Sequence, residues 1–269
     1  MKIIDAHLHY YMENDHFKQI AKEAGHENTP EHLAQTCEEL EIVSAVIMGN
    51  AELDQFHIYP DNLRYCVGLN LRYMEQKDPA FCVQMVEKHL RESQCVGIKL
   101  YPGYTPLYVS DDVYTPFYEL ATRYDKPVAI HTGDTAVSHA LVKYSHPLTV
   151  DDVAVAHPDV TFVICHIGNP WIVDAIEVAM KNDNVAIDLS GLLEGTFDIT
   201  DFVEEHRDWL NYIRMWLKYL NRWDRILYGT DWPLVNMQNY IDVVKYIVPE
   251  QHWNAVFYEN AKRIYGIDL

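Results

Sequence analysis

The stretch Lys2-Ile3-Ile4-Asp5-Ala6-His7-Leu8-His9 is a short apolar run that ends in two histidines one residue apart. Residues two apart on an extended strand share a face, so His7 and His9 can converge on one ion. Two histidines that merely cap a strand would read the same way. The other polar residues at strand ends decide between the two readings. His131 ends PVAIH (127–131), His166 ends VTFVICH (160–166) and Asp231 directly follows RILYGT (225–230). These positions fall at the carboxyl ends of the first, fifth, sixth and eighth apolar runs, the end at which barrel enzymes build their sites.

The other runs are IVSAVIM (42–48), LRYCVGL (63–69), QCVGIKL (94–100) and NVAIDLS (184–190), which makes eight with KIIDA (2–6) and the three just quoted. None alternates strictly, which suits parallel strands buried on both faces. Between them, helical spacing appears at 30–41, 79–92, 113–125, 171–183 and 202–221, with two more segments at 236–248 and 253–265. Strand and helix alternating eight times point to an α/β architecture, a closed (β/α)8 TIM barrel or an open doubly wound sheet. The closed barrel is the reading adopted, as one domain over residues 1–269. Segment 49–62 is the weak point, being loop-like with at most a short helix. The proline- and tyrosine-rich stretch 101–116 predicts an ordered loop over the site.

At 269 residues, with 49% hydrophobic and 23% charged, the chain has material for one large core. A net charge of −19 argues against nucleic acid or an anionic membrane as partner. The five cysteines form no CxxC pair and read as buried thiols. The first residues hold no signal-type apolar block, and no apolar run approaches the ~20 residues of a membrane span. A cytoplasmic protein with a small-molecule substrate is expected, with homo-oligomerisation left open.

The ordered series DAHLH, GIKLYPG, PVAIHTGD, VICHIGNPW, YGTDWP and ENAKRIYGI resembles the motifs of the amidohydrolase superfamily. More narrowly it resembles the amidohydrolase-related branch that contains aminocarboxymuconate semialdehyde decarboxylase and related nonoxidative decarboxylases. The match runs from residue 5 to residue 266. The resemblance implies a site of His7, His9, His131 and Asp231 around one divalent ion, usually Zn²⁺ with Mn²⁺ as the alternative, and His166 free as acid, base or charge stabiliser. Neutral imidazoles and a carboxylate suit either ion. Lys99 is ambiguous. Carboxylated, as in relatives with two metals, it would bridge two ions and make His166 a ligand. Unmodified, it would pair with Asp231 or an anionic substrate. One ion is favoured, because the narrower branch generally keeps one.

The expected activity is hydrolysis of a small lactone, amide or related carbonyl compound by metal-activated water, with Asp231 as base and His166 stabilising the oxyanion. The alternative is nonoxidative decarboxylation of a small unsaturated or aromatic acid. The remote alternative is a metal-free binding protein on the same barrel. Tyr101, Tyr104, Asp134, Asn169, Trp171 and Trp232 fall on mouth loops and could contact substrate, or serve as turn, cap and packing residues. Asp188 and Asn70 could orient liganding imidazoles. The remaining histidines read as surface or packing residues, with His139 and His146 nearest a mouth loop. The last motif is expected to seal the barrel.

Overall fold

The protein is described by a computed structural model over residues 1–69 and 74–269. Its strands are β1 Ile3–Leu8, β2 Ile42–Met48, β3 Leu63–Gly68, β4 Cys95–Leu100, β5 Val128–Ile130, β6 Phe162–Ile164, β7 Val185–Asp188 and β8 Ile226–Leu227. They pair in sequence order and every pair is parallel. The ring closes where the Ala6 N–H donates to the Tyr228 carbonyl at 2.9 Å. The (β/α)8 barrel is therefore present.

Burial on both faces explains the lack of alternation in the strand runs. Ala45, Ile47, Ile98, Val128, Ile130 and Ile187 belong to an outer core under the helices. Val46, Cys66, Ala129, Val163, Ala186 and Leu227 fill a separate inner cluster. Tyr265 and Ile267 join that inner cluster, so the C-terminal segment packs against the barrel interior.

The helices are α1 Asp15–Glu23, α2 Pro30–Glu39, α3 Pro79–Arg91, α4 Thr115–Tyr124, α5 Leu148–Ala156, α6 Ile172–Lys181, α7 Ile199–Glu205, α8 Arg207–Leu220, α9 Met237–Ile247 and α10 Asn260–Ile264. The helical run expected at 202–221 is divided at His206 into the end of α7 and α8. Helices α1 and α5 were not expected. In α1 and its C-terminal cap residue, Phe17, Ile20, Ala21 and Ala24 recur at helical spacing and the two alanines are buried; the Asn14 side chain starts the helix by accepting the His16 and Phe17 N–H groups at 2.9 and 3.1 Å.

Segment 49–62 forms no helix, and two side chains hold it instead. His89 on α3 donates from Nε2 to the Leu53 carbonyl at 3.0 Å and accepts the Tyr65 hydroxyl at Nδ1, 2.9 Å away. Gln94 pairs with Tyr59 in both directions, its Oε1 3.2 Å from the Tyr59 N–H and its Nε2 3.0 Å from the carbonyl. Among the described residues, no helix is long and apolar enough to cross a membrane.

Candidate metal centre

The site sits on the seam between the first and last strands. The Asp5 carboxylate fastens the two sides, accepting the His7 N–H at 3.1 Å, the Thr230 N–H at 3.0 Å and the Thr230 hydroxyl at 2.6 Å. Beyond it, the Asp231 N–H donates to the His7 carbonyl at 2.8 Å and the His9 N–H to the Trp232 carbonyl at 2.9 Å. His7, His9 and Asp231 are thereby set by backbone pairing.

His166 lies at the carboxyl end of its strand but in a turn just past it. β6 stops at Ile164, and His166 lies in a tight turn with φ 61°, followed by Ile167 at φ 48°. Asp231 also has φ 61°. Left-handed backbone costs a non-glycine residue about 1–2 kcal/mol, so both side chains are carried at a cost the surrounding packing has to offset.

Hydrogen-bond accounting shows what the centre fits. Asp188 Oδ2 lies 2.9 Å from His7 Nδ1, and a carboxylate only accepts, so Nδ1 carries the proton and Nε2 presents a lone pair. His9 Nδ1 lies 3.2 Å from the Met48 carbonyl, which makes its Nε2 a lone pair too. Asp231 Oδ1 lies 3.5 Å from His7 Nε2 and 3.1 Å from His9 Nε2. Three acceptors thus face one point, and both His7 Nε2 and Asp231 Oδ1 are buried without a hydrogen-bond partner. Each unsatisfied buried group costs about 1–3 kcal/mol, and converging lone pairs add repulsion. A divalent cation removes both penalties, so these residues fit a metal.

The electrostatics agree with the ligand forms. Burial, then the Lys99 ammonium, lower the His7 imidazole to about 4. Burial, then His166, hold His131 well below its ordinary value, and burial also lowers His166. Burial pushes the Asp231 and Asp188 carboxyls up, but their histidine neighbours outweigh it and hold both below the usual range. Near neutral pH His7, His131 and His166 are therefore neutral and Asp188 and Asp231 ionised, the states that bind metal.

His131 stands apart from the three converging donors. Its Nε2 donates to the Asp134 carbonyl at 2.9 Å, and its Nδ1 lies 3.1 Å from His166 Nε2. Lys99 is fully buried; its Nζ faces Cys165 Sγ at 2.9 Å and the Tyr101 ring, rather than Asp231.

Two residues at the end of β7 were missed in the sequence. Ser190 Oγ lies 2.9 Å from His166 Nδ1 and 3.1 Å from His7 Nδ1, and it donates to Asp188 Oδ1. Gly191 has φ 64°, and a Cβ there would stand 2.5 Å from His166 Nδ1 and 2.8 Å from Asp231 Oδ2. Their signal was available: they follow Asp188 at a strand's carboxyl end, like every other site residue. Gly191→Ala is expected to displace the His166 ring while the barrel stays folded. Imidazole nitrogen NMR checks this, and unmoved His166 resonances would contradict the packing described.

Some mouth residues are engaged locally. The Tyr101 hydroxyl donates to the Met48 and Gly49 carbonyls at 3.1 and 3.0 Å, and the Tyr104 hydroxyl accepts the Ala136 N–H at 2.8 Å while its ring packs on His131. Asp134 meets His131 through its carbonyl, its carboxylate being used by the Thr135 N–H at 2.8 Å. The Asn169 carbonyl accepts the Asp134 N–H at 2.9 Å. Trp171 packs on His146 at 4.8 Å between ring centres. Trp232 is fully buried against His26, 4.6 Å away, so its ring is a packing group rather than a substrate contact. Asn70 lies outside the described residues.

The amidohydrolase family profile matches residues 4–267, and the chain belongs to that family. No curated protein matches the sequence. Among solved structures, a probable 2-pyrone-4,6-dicarboxylic acid hydrolase from Acinetobacter baumannii is 16% identical with a TM-score of 0.66, covering 99% of this chain and 100% of that one. A 5-carboxyvanillate decarboxylase from Novosphingobium aromaticivorans with bound manganese is 11% identical with a TM-score of 0.68, covering 99% and 97%. An amidohydrolase from Burkholderia multivorans with bound zinc is 14% identical with a TM-score of 0.67, covering 100% of both chains. By their own descriptions these fold neighbours include a probable hydrolase and a decarboxylase, and two of them hold zinc or manganese.

Proposed function

We propose that this chain is a divalent-metal-dependent hydrolase of a small carbonyl compound, such as a lactone or amide. The observation that carries the reading is the division of labour within Asp231: Oδ1 converges with the His7 and His9 lone pairs, while Oδ2 is turned toward His166 Nδ1 at 3.9 Å. One Zn²⁺ or Mn²⁺ held by His7, His9 and Asp231 would polarise the carbonyl and acidify water, while His131, the fourth ligand that the family resemblance implies, is turned to His166 instead. Lys99, engaged with Cys165, stays unmodified in this reading. Asp231 accepts the proton of the attacking water and returns it to the leaving oxygen or nitrogen. His166, oriented by Ser190, stabilises the charge that develops on the carbonyl oxygen.

One observation favours a second reading, nonoxidative decarboxylation. His131 Nδ1 and His166 Nε2 face each other at 3.1 Å, a separation that calls for a shared proton. Such a proton is what a carbon left by departing CO₂ requires. Incubating the metal-loaded protein with a panel of lactones, amides and aromatic acids, while following proton release and CO₂, separates the two. Hydrolysis product without CO₂ is expected, and CO₂ without hydrolysis product overturns the first reading. Metal content after purification without chelator addresses the metal-free alternative: about one ion per chain is expected.

A further inference from the structure

Beside the centre, a cleft of about 590 Å³ opens between residues 10–14, which follow His9, and residues 49–59, which follow β2. It exists because segment 49–62 crosses this side of the barrel without a helix. Tyr10, Tyr11, Met12, Ile47 and Tyr59 supply its apolar walls, and Glu13 stands on its rim. Tyr11 links it to the centre, lining the cleft while its ring stacks on His9 at 5.7 Å between centres. Gly49 is a second link, since it lines the cleft and its carbonyl accepts the Tyr101 hydroxyl.

We propose that this cleft holds the non-reacting part of the substrate and that this part is apolar and uncharged, an alkyl or aryl substituent. The inference rests on the reading of the metal centre above. The walls are held in place before any ligand arrives: Gln94 pins Tyr59 at both backbone groups, and the Tyr59 ring meets Tyr10 edge-on at 5.6 Å. A pre-formed apolar cleft gains affinity from each buried methylene, about fourfold at full burial. No lysine or arginine is among the described residues that line the cleft, and Lys18 outside it faces Glu13 at 4.0 Å, so a second carboxylate on the substrate would find no cationic partner there. The cleft therefore selects against a diacid.

Calorimetric titration of the metal-loaded protein with three hydroxamates tests this: acetohydroxamic acid, 4-phenylbutanehydroxamic acid and the monohydroxamate of succinic acid. The phenyl-tailed probe is expected to bind at least about tenfold more tightly than acetohydroxamate, and the carboxylate-tailed probe no more tightly. Ala51→Phe, which fills the cleft, is expected to bring the phenyl-to-acetyl ratio toward one. Equal binding of all three, or tightest binding of the carboxylate tail, overturns the proposal. Should no hydroxamate bind, the metal reading fails on its own, and 4-phenylbutan-1-ol, which chelates nothing, then decides the cleft. It is expected to shift the Met12 methyl resonance in the wild type but not in Ala51→Phe, and an unmoved methyl overturns the proposal.

Discussion

Asp231→Asn is expected to yield a folded barrel with turnover reduced by about a thousandfold or more, roughly 4 kcal/mol of lost barrier reduction. Asparagine matches aspartate in size, and it tolerates the left-handed backbone found at this position, φ 61°. The N–H that pairs with the His7 carbonyl is unchanged by the substitution. What disappears is the negative charge facing two imidazole lone pairs and the base that takes a proton from water. Steady-state kinetics beside thermal unfolding checks both halves. Activity above a tenth of wild type would remove Asp231 from the chemistry, and loss of the folded state would assign it to structure.

His7→Ala is expected to weaken metal binding by about a hundredfold or more, since even changes behind the ligands cost 10–100-fold. The fold should survive, because Asp188 keeps the N–H groups of His166 and Ser190, each at 3.0 Å, and the Ser190 hydroxyl. Elemental analysis after dialysis reads the result as ions per chain. A stoichiometry equal to wild type would place His7 outside the ligand set.

The strand plan was legible because burial on two faces writes continuous apolar runs, and all eight runs became strands. The two unexpected helices were hidden for physical reasons. In α1 and its cap, the apolar stripe is short, Phe17, Ile20, Ala21 and Ala24, with only its two alanines buried, among charged neighbours. In α5, Leu148-Thr149-Val150-Asp151-Asp152-Val153 mixes β-branched and acidic residues and leaves Leu148 exposed, so neither period dominates. His7, His9 and Asp231 were readable because a barrel forces strand ends together. The reach of individual side chains was not readable: Lys99 turns to Cys165, His131 to His166, and Trp232 inward onto His26. Ser190 and Gly191 escaped because a hydroxyl and a missing Cβ carry no charge or ligand signature, although their position marked them.

The three converging donors come from opposite ends of the polypeptide, one on the opening strand, one directly after it and one just past the closing strand. An ion seated among them acts as a clasp on the circumference, tying a loop that contains nearly the whole chain. Loop closure of that length is entropically expensive for the unfolded chain, so part of the ion's binding energy becomes resistance to unzipping at the join. Losing the ion would then weaken the container together with the chemistry.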